Sequence, residues 1–404
     1  MKISNYKQFD LTYCSNIHPG DSWTEIFRNL KANIPILKAR LSPTEPFGIG
    51  LRLSNKASDE LLYNENINIF KTWLTQNNCY VLTINGFVYG DFYNSSIKEK
   101  VYEPDWNTRE RADFNLNLIN ILSKLCVPGK EIGFSTSPLG YKFSLVLSHD
   151  DPKDLFKNSF NLYLLELVQK MIDIFEKEGK IIHIDFEPEA DCFLETIEDI
   201  ILFFNKTIFQ DTATLLSQRL KIPLAKSRDY LTRHVRICYD ICHQAVQFEN
   251  HVKNFVNLSQ LGIKIGKIQI SSALQLKIKQ KDKIILTNEI NKFKDNIYLH
   301  QVVVKTVDGS LKKYRDLPEA INNMTTNTLW RVHFHLPIFA QNYNKLLSTR
   351  EDIQDVINFI KKSPITSCLE IETYTWEVLP EDLKLDLLSS IIREYEWVIT
   401  QFHY

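Results

Sequence analysis

The sequence lacks a strong net charge. Its 48 Lys and Arg meet 49 Asp and Glu, for a formal charge of −1 at pH 7. A balance this even supplies no global field toward nucleic acid or an anionic membrane. Long apolar runs are missing too. No stretch approaches the roughly 18 apolar residues of a membrane span, and the opening MKISNYKQFDLTYC has no apolar core of signal-peptide length. The expectation is a cytoplasmic chain with no membrane span and no nucleic-acid partner. The seven cysteines (14, 79, 126, 192, 238, 242, 368) are scattered. They read as free thiols in a reducing compartment, not as a disulfide framework. Cys238 and Cys242 lie four apart, a weak zinc signal by itself. Neither G-x-x-x-x-G-K-[ST], nor a strand-linked G-x-G-x-x-G, nor a G-x-S-x-G elbow occurs. Nucleotide binding and serine-hydrolase chemistry therefore have no motif support.

What is present is a globular composition, 44% hydrophobic and 24% charged over 404 residues. Eight β-type runs recur: LTYCSNI (11–17), FGIGLRLS (47–54), CYVLTINGF (79–87), EIGFSTSPLG (131–140), KIIHIDFEPE (180–189), VRICYDICH (235–243), IGKIQISSAL (265–274) and SCLEIETYTW (367–376). Helical stretches separate them. One is capped by Asp21 or Ser22, and others fall at about 108–126, 152–178 and 191–220. Eight βα units predict a (β/α)₈ TIM barrel, whose catalytic groups lie at the carboxyl ends of the strands. Between strands seven and eight lies a long insertion, 275–345. Asp308-Gly309 within it is a hairpin signal, and LWRVHFHLPIF (329–339) is strand-like. The expectation is one TIM-barrel domain over 1–404, with the insertion folded over the barrel mouth as a lid.

Period-two reading of the later strands separates their faces. His183, Asp185, Glu187 and Glu189 share one face of the fifth. Arg236, Cys238 and Asp240 share one of the sixth, Lys267, Gln269 and Ser271 one of the seventh, and Glu370 and Glu372 one of the eighth. Carboxylates gathered in a barrel interior need cations, and a divalent metal meets that need. Solvated strand edges, or ion pairs with Arg236 and Lys267, are the plainer alternative. Near other strand ends, His18 can line the mouth or close a turn. Arg52 can hold an anionic substrate group or make a salt bridge. Trp376, like Trp23 and Trp106, can floor a sugar site or simply pack.

Asp240-x-x-His243 after an apolar strand resembles the xylose-isomerase-like TIM-barrel superfamily, which includes sugar epimerases and endonuclease-IV-type nucleases. The resemblance implies Glu187, Asp240 and Glu372 as metal ligands, with Gln269 where a histidine is usual. Glu189 and Glu370 are alternatives two residues away. It implies that His243 contacts substrate or a second metal. The run HFH (333–335) is similar to the nuclease D-x-H element, which adds His333 and His335 as ligands. YCSNIHPGDSW, PFGIGLRLS, VYEPDW, DICHQAVQFE, KIQISSAL, RVHFHLPIF and EIETYTWEVLP resemble the EboE group of metabolite-traffic proteins. That resemblance implies a secondary-metabolite precursor pathway, with partners drawn from biosynthesis or export. The expected activity is that of an isomerase or epimerase on a sugar or related polyol or keto compound. Glu187 and Glu372 would be catalytic, His243, Arg52, His18 and Trp376 would bind substrate, and the metal would be Mn, Mg, Co or Zn. A multi-metal phosphoester hydrolase and a non-enzymatic metabolite carrier are the alternatives.

Overall fold

Each predicted strand carries apolar side chains on one face, and those faces lie under helices in one large core. The computed structural model describes residues 1–90, 98–144, 152–294, 298–376 and 379–403, with 152–158 and 382 described by backbone alone. Its strands are β1 (Lys2–Ile3), β2 (Tyr6–Tyr13), β3 (Phe47–Arg52), β4 (Cys79–Asn85), β5 (Glu131–Thr136), β6 (Ile181–Phe186), β7 (Val235–Asp240), β8 (Ile265–Ile270), β9 (Leu274–Ile278), β10 (Val302–Lys305), β11 (Leu311–Tyr314), β12 (Thr328–Val332), β13 (Asn342–Tyr343), β14 (Leu346–Ser348) and β15 (Cys368–Ile371).

The barrel is made by β2 to β8 and β15, in the order β2-β15-β8-β7-β6-β5-β4-β3. Every one of these pairings is parallel. All eight sequence-predicted strands are present, so the chain is a (β/α)₈ barrel. Side chains help to close it between β2 and β3. Thr12 Oγ1 donates to Gly48 O at 2.9 Å and accepts from Gly50 N at 2.8 Å. Arg52 N donates to Ser15 Oγ at 2.8 Å, and a parallel bridge joins Cys14 to Gly50. Among the described residues, no helix is long and apolar enough to cross a membrane.

Three local readings shift. The first strand ends at Tyr13, because Ser15–Ile17 coils into a 3₁₀ turn. The run at 329–339 leaves its sheet after Val332, where the backbone turns so that Leu336 N meets Ser272 O at 3.0 Å. The helical region at 191–220 contains a π-helical stretch, Phe204–Thr212, and a separate helix follows at Leu224–His234. The insertion forms its own six-stranded antiparallel sheet, in the order β11-β10-β12-β9-β14-β13. Leu276, Trp330, Val332 and Leu346 belong to the apolar cluster of that sheet. The Asp308-Gly309 hairpin is present between β10 and β11, with Gly309 at φ +87.

The barrel axis is unusually polar. Lys267 Nζ meets Glu370 Oε2 at 2.5 Å, His183 Nδ1 meets Asp185 Oδ1 at 2.6 Å, and Arg236 meets Glu131 at 2.9 Å. The plainer sequence reading, ion pairs with Arg236 and Lys267, thus describes the lower barrel. Glycines make the room. A Cβ on Gly133 would lie 2.0 Å from His183 Cε1, and one on Gly50 would lie 2.3 Å from Glu370 Oε1. Gly133→Ala is therefore expected to destabilise the fold by about 3 kcal/mol, because a pinned ring cannot yield. Denaturant unfolding checks this, and a loss below about 1 kcal/mol would show that the His183 ring has somewhere to go.

Candidate metal centre

The site begins where three barrel strands end. Asp240 is the last residue of β7 and also the N-cap of the helix Ile241–Val246. Its Oδ1 accepts from His243 N at 2.9 Å and from Ser271 Oγ at 2.8 Å. Glu187 follows β6 directly, and Glu372 follows β15. Glu372 Oε1 accepts two amides, Asn16 Nδ2 at 2.9 Å and Asn85 Nδ2 at 3.1 Å. Oxygens of Glu187, Asp240 and Glu372 lie within 4.8 Å of one another, and all three residues are buried. Each keeps one buried oxygen without a hydrogen-bond partner: Glu187 Oε2, Asp240 Oδ2 and Glu372 Oε2. Burial raises the pKa of both Glu187 and Glu372, and for Glu372 the neighbouring charges of Glu187 and Asp240 raise it further. Three orphaned carboxylate oxygens at this spacing fit a divalent cation with metal–oxygen bonds of about 2.0–2.6 Å.

A second donor set adjoins the first. His243 Nδ1 faces Pro188 O at 2.9 Å, His335 Nδ1 faces Glu372 O at 3.0 Å, and His333 Nδ1 faces Gln301 Oε1 at 2.8 Å. Each of these partners is an acceptor, so each Nδ1 carries the ring proton in the neutral imidazole. Burial depresses the pKa of His333 well below its usual value and takes that of His335 to about 4. Their Nε2 atoms are then lone-pair acceptors, yet they face each other. The distances are 3.2 Å from His333 to His335 and 3.3 Å from His335 to His243. Two bare lone pairs at the His333–His335 separation repel unless a proton or a metal ion lies between them. Asp240, His243 and His335 also fall within one 4.8 Å group, so Asp240 adjoins both sets. The donor chemistry differs: oxygen donors suit Mg or Mn, and imidazoles suit Zn.

The cleft above these groups has a volume of about 80 Å³ and is also lined by Arg52, Phe87, Val88, Val101 and Tyr374. Arg52 reaches its wall but spends donors on Gly20 O at 2.9 Å and Gly90 O at 2.5 Å. Glu189 sits on another wall, where it accepts from Tyr102 OH at 2.8 Å and lies 3.5 Å from His333 Nδ1. Burial lifts its pKa to about 8.

Three sequence candidates lie elsewhere. Gln269 is turned into the barrel, where its Oε1 accepts from Cys238 Sγ at 2.9 Å. His18 is buried against Tyr13, whose OH is 2.8 Å from its Nε2. Trp376 is half-buried against both apolar clusters, and Tyr374 takes the wall position, stacked on His335 at 4.7 Å. Of the alternatives, Glu370 is engaged by Lys267 and Glu189 by Tyr102. Glu377 and Val378 of the EIETYTWEVLP motif lie outside the described residues. The sequence reading missed Asn16, Tyr374, Tyr102 and Gln301. Tyr374 continues the alternation 370, 372, 374 and was open to that reading. Gln301 and Tyr102 carried no local signal.

No family model matches the chain, and no curated protein matches it. Solved structures do. The IolI protein with a bound zinc atom is 13% identical over 98% of this chain and 99% of that one, at a TM-score of 0.48. A D-tagatose 3-epimerase-like protein is 13% identical over 98% and 100%, also at 0.48. A xylose isomerase-like TIM-barrel protein from Mycobacterium smegmatis, in complex with magnesium, is 11% identical over 91% and 86%, at 0.44. Identity this low transfers no residue's role.

Proposed function

We propose that the chain is a divalent-metal-dependent isomerase or epimerase acting on a small hydroxy-carbonyl compound, a sugar or related polyol. The observation that carries this reading is the pair Glu187 and Glu372. They flank Asp240 in one buried cluster, each with a free oxygen. A divalent ion held by Glu187, Asp240 and Glu372 would polarise a substrate carbonyl and offset the charge that develops on its oxygen. The two glutamates would do the proton work, one taking a proton from carbon and the other returning one to the neighbouring carbon. Burial raises the pKa of both glutamates in the metal-free chain, the direction that favours holding a proton. Asn16 and Asn85 fix one oxygen of Glu372 and so orient its carboxylate toward Glu187 and Asp240. The EboE-type motifs suggest that the substrate belongs to a metabolite-precursor pathway. The insertion, read as a lid forming one domain with the barrel, would bring His333 and His335 to His243.

The test is solvent exchange. Metal-loaded protein incubated with ketoses and aldoses in D₂O should introduce deuterium at a carbon next to the carbonyl. Glu187→Gln and Glu372→Gln should each slow this by at least about 100-fold. No exchange across a sugar panel at full metal loading would sink the reading. The imidazole set favours a second reading, a two-metal phosphoester hydrolase. For the His333→Ala/His335→Ala double variant, bound ion should drop from two per chain to one, measured by elemental analysis. An unchanged stoichiometry would remove the histidine site from consideration.

A further inference from the structure

Beside the histidine set, four buried side chains from distant parts of the chain form one run of hydrogen bonds. His333 Nδ1 faces Gln301 Oε1 at 2.8 Å, Gln301 Nε2 donates to Tyr102 OH at 3.1 Å, and Tyr102 OH donates to Glu189 Oε1 at 2.8 Å. Strand register makes the first contact. Val302 of β10 pairs with Val332 of β12 in an antiparallel ladder, so the next residues out, Gln301 and His333, stand opposite each other. His333 N donates to Gln301 O at 2.9 Å there. Tyr102 ends the 3₁₀ turn Lys98–Tyr102, and its ring is fixed by stacking on Tyr141, with centroids 5.1 Å apart.

The run has one direction. Gln301 Nε2 also faces Ala190 O at 3.4 Å, and a carbonyl only accepts, so the amide nitrogen belongs on that side and Oε1 faces His333. Tyr102 receives from the same amide nitrogen, which leaves its own proton for Glu189. His333 therefore supplies the proton at Nδ1, which also lies 3.5 Å from Glu189 Oε1. Its Nε2 is left bare, 3.2 Å from His335 Nε2. The two rings alone would favour the other tautomer in the metal-free chain, because a proton on His333 Nε2 could be donated to the bare His335 Nε2. Gln301 and its partners oppose that exchange.

We propose that Tyr102 and Gln301 are positioning residues of the histidine set, which hold His333 in the Nδ1–H tautomer and so keep a bare Nε2 turned to the cation. The inference rests on the reading of His243, His333 and His335 as metal donors. Outer partners of this kind fix the orientation and basicity of a ligating imidazole without touching the ion. Gln301 and His333 belong to the insertion, whereas Tyr102 and Glu189 belong to the barrel. The imidazole is thus set only when the insertion is seated.

Ring-¹⁵N-histidine labelling of the full, metal-free chain tests the tautomer. The chain has ten histidines, and His333→Gln assigns the signal of interest. Wild-type His333 is expected to carry its proton on Nδ1. Gln301→Met keeps the side-chain length and removes both hydrogen-bonding ends, and it is expected to move the proton to Nε2. Zinc titration followed by the same ring signals tests the consequence. Gln301→Met should weaken zinc binding at the histidines by at least about tenfold, and Tyr102→Phe by about threefold or more, since Ala190 O still holds the amide. Tyr102→Phe is read in both ways, so the test survives if Gln301→Met does not fold. Tyr141→Phe removes a hydroxyl from the stacked ring outside the run and should change neither readout. The proposal is overturned if wild-type His333 is protonated on Nε2, if the variants in the run keep the wild-type tautomer or zinc affinity, or if Tyr141→Phe matches Tyr102→Phe, which would mark packing alone. A wild-type chain that fixes the Nδ1–H tautomer yet takes no zinc at its histidines would uphold the hydrogen-bond run and overturn the metal-donor reading beneath it.

Discussion

Asp240→Asn is expected to weaken divalent-ion binding by at least about 100-fold while the metal-free protein becomes no less stable, and up to about 1 kcal/mol more so. The asymmetry follows from what each Asp240 oxygen does. Oδ1 caps the helix Ile241–Val246 and receives Ser271, and asparagine keeps an oxygen for both bonds. Oδ2 has no hydrogen-bond partner and sits beside Glu187 and Glu372. An amide there removes a buried negative charge and adds two N–H donors aimed at carboxylates. Isothermal titration with Mn or Zn, beside thermal unfolding in chelator, reads both halves. A large loss of metal-free stability would mean that Asp240 serves a structural ion pair instead.

The second large effect is on pH dependence. Between about pH 6.5 and 8 the metal-free protein should lose stability as pH rises, at up to about 1.4 kcal/mol per pH unit for each buried carboxylate concerned. Burial lifts Glu189 and Glu394 to about 8 and raises Glu187 and Glu372 as well. An unfolded carboxyl group ionises near about 4.3. Between the two values the unfolded chain has released a proton that the folded chain still holds, so alkali favours unfolding. The stability due to these groups is complete below the unfolded value and lost as pH climbs through the folded one. Histidines act in the opposite sense below about 6.5, the unperturbed imidazole value. His18 and His335 are held at about 4 by burial, and His183 lower than usual, so acid also favours unfolding. The window above 6.5 isolates the carboxylates. Metal binding needs Glu187 and Glu372 ionised, so ion affinity should rise across the same window, and the gap in Tm between loaded and metal-free protein should widen. A metal-free Tm that stays flat or rises from pH 6.5 to 8 would contradict the burial of these acids.

Alternation along HIDFEPE, RICYD and LEIET gave the correct face for every acid. The order of βα units gave the eight strands and the end at which acids gather. Alternation cannot choose between residues two apart on one face, which differ by about 6.6 Å along the strand. Glu370 and Glu372 satisfy the same pattern. The Lys267 ammonium from β8 engages Glu370, while Asn16 from the 3₁₀ turn after β2 and Asn85 from the end of β4 hold Glu372. Glu187 and Glu189 divide in the same way, because Tyr102, far away in sequence, takes Glu189. Gln269 has the expected face, yet its carbonyl finds Cys238 on the neighbouring strand. His18 stands at a strand end as read, but a 3₁₀ turn carries its ring to Tyr13. The pairing of His333 and His335 was legible as i, i+2. The meeting of their Nε2 atoms with His243 was not, since it joins the insertion to the barrel across some ninety residues.

By itself, then, the sequence determined the alternating architecture, the polar face of each barrel strand and the acids and imidazoles available to that face, because hydrophobic period is a local property of the chain. Only the tertiary structure decided which of those groups meet. Height along the barrel axis is set by stagger between strands, and the partner that occupies or frees each carboxylate comes from a distant segment.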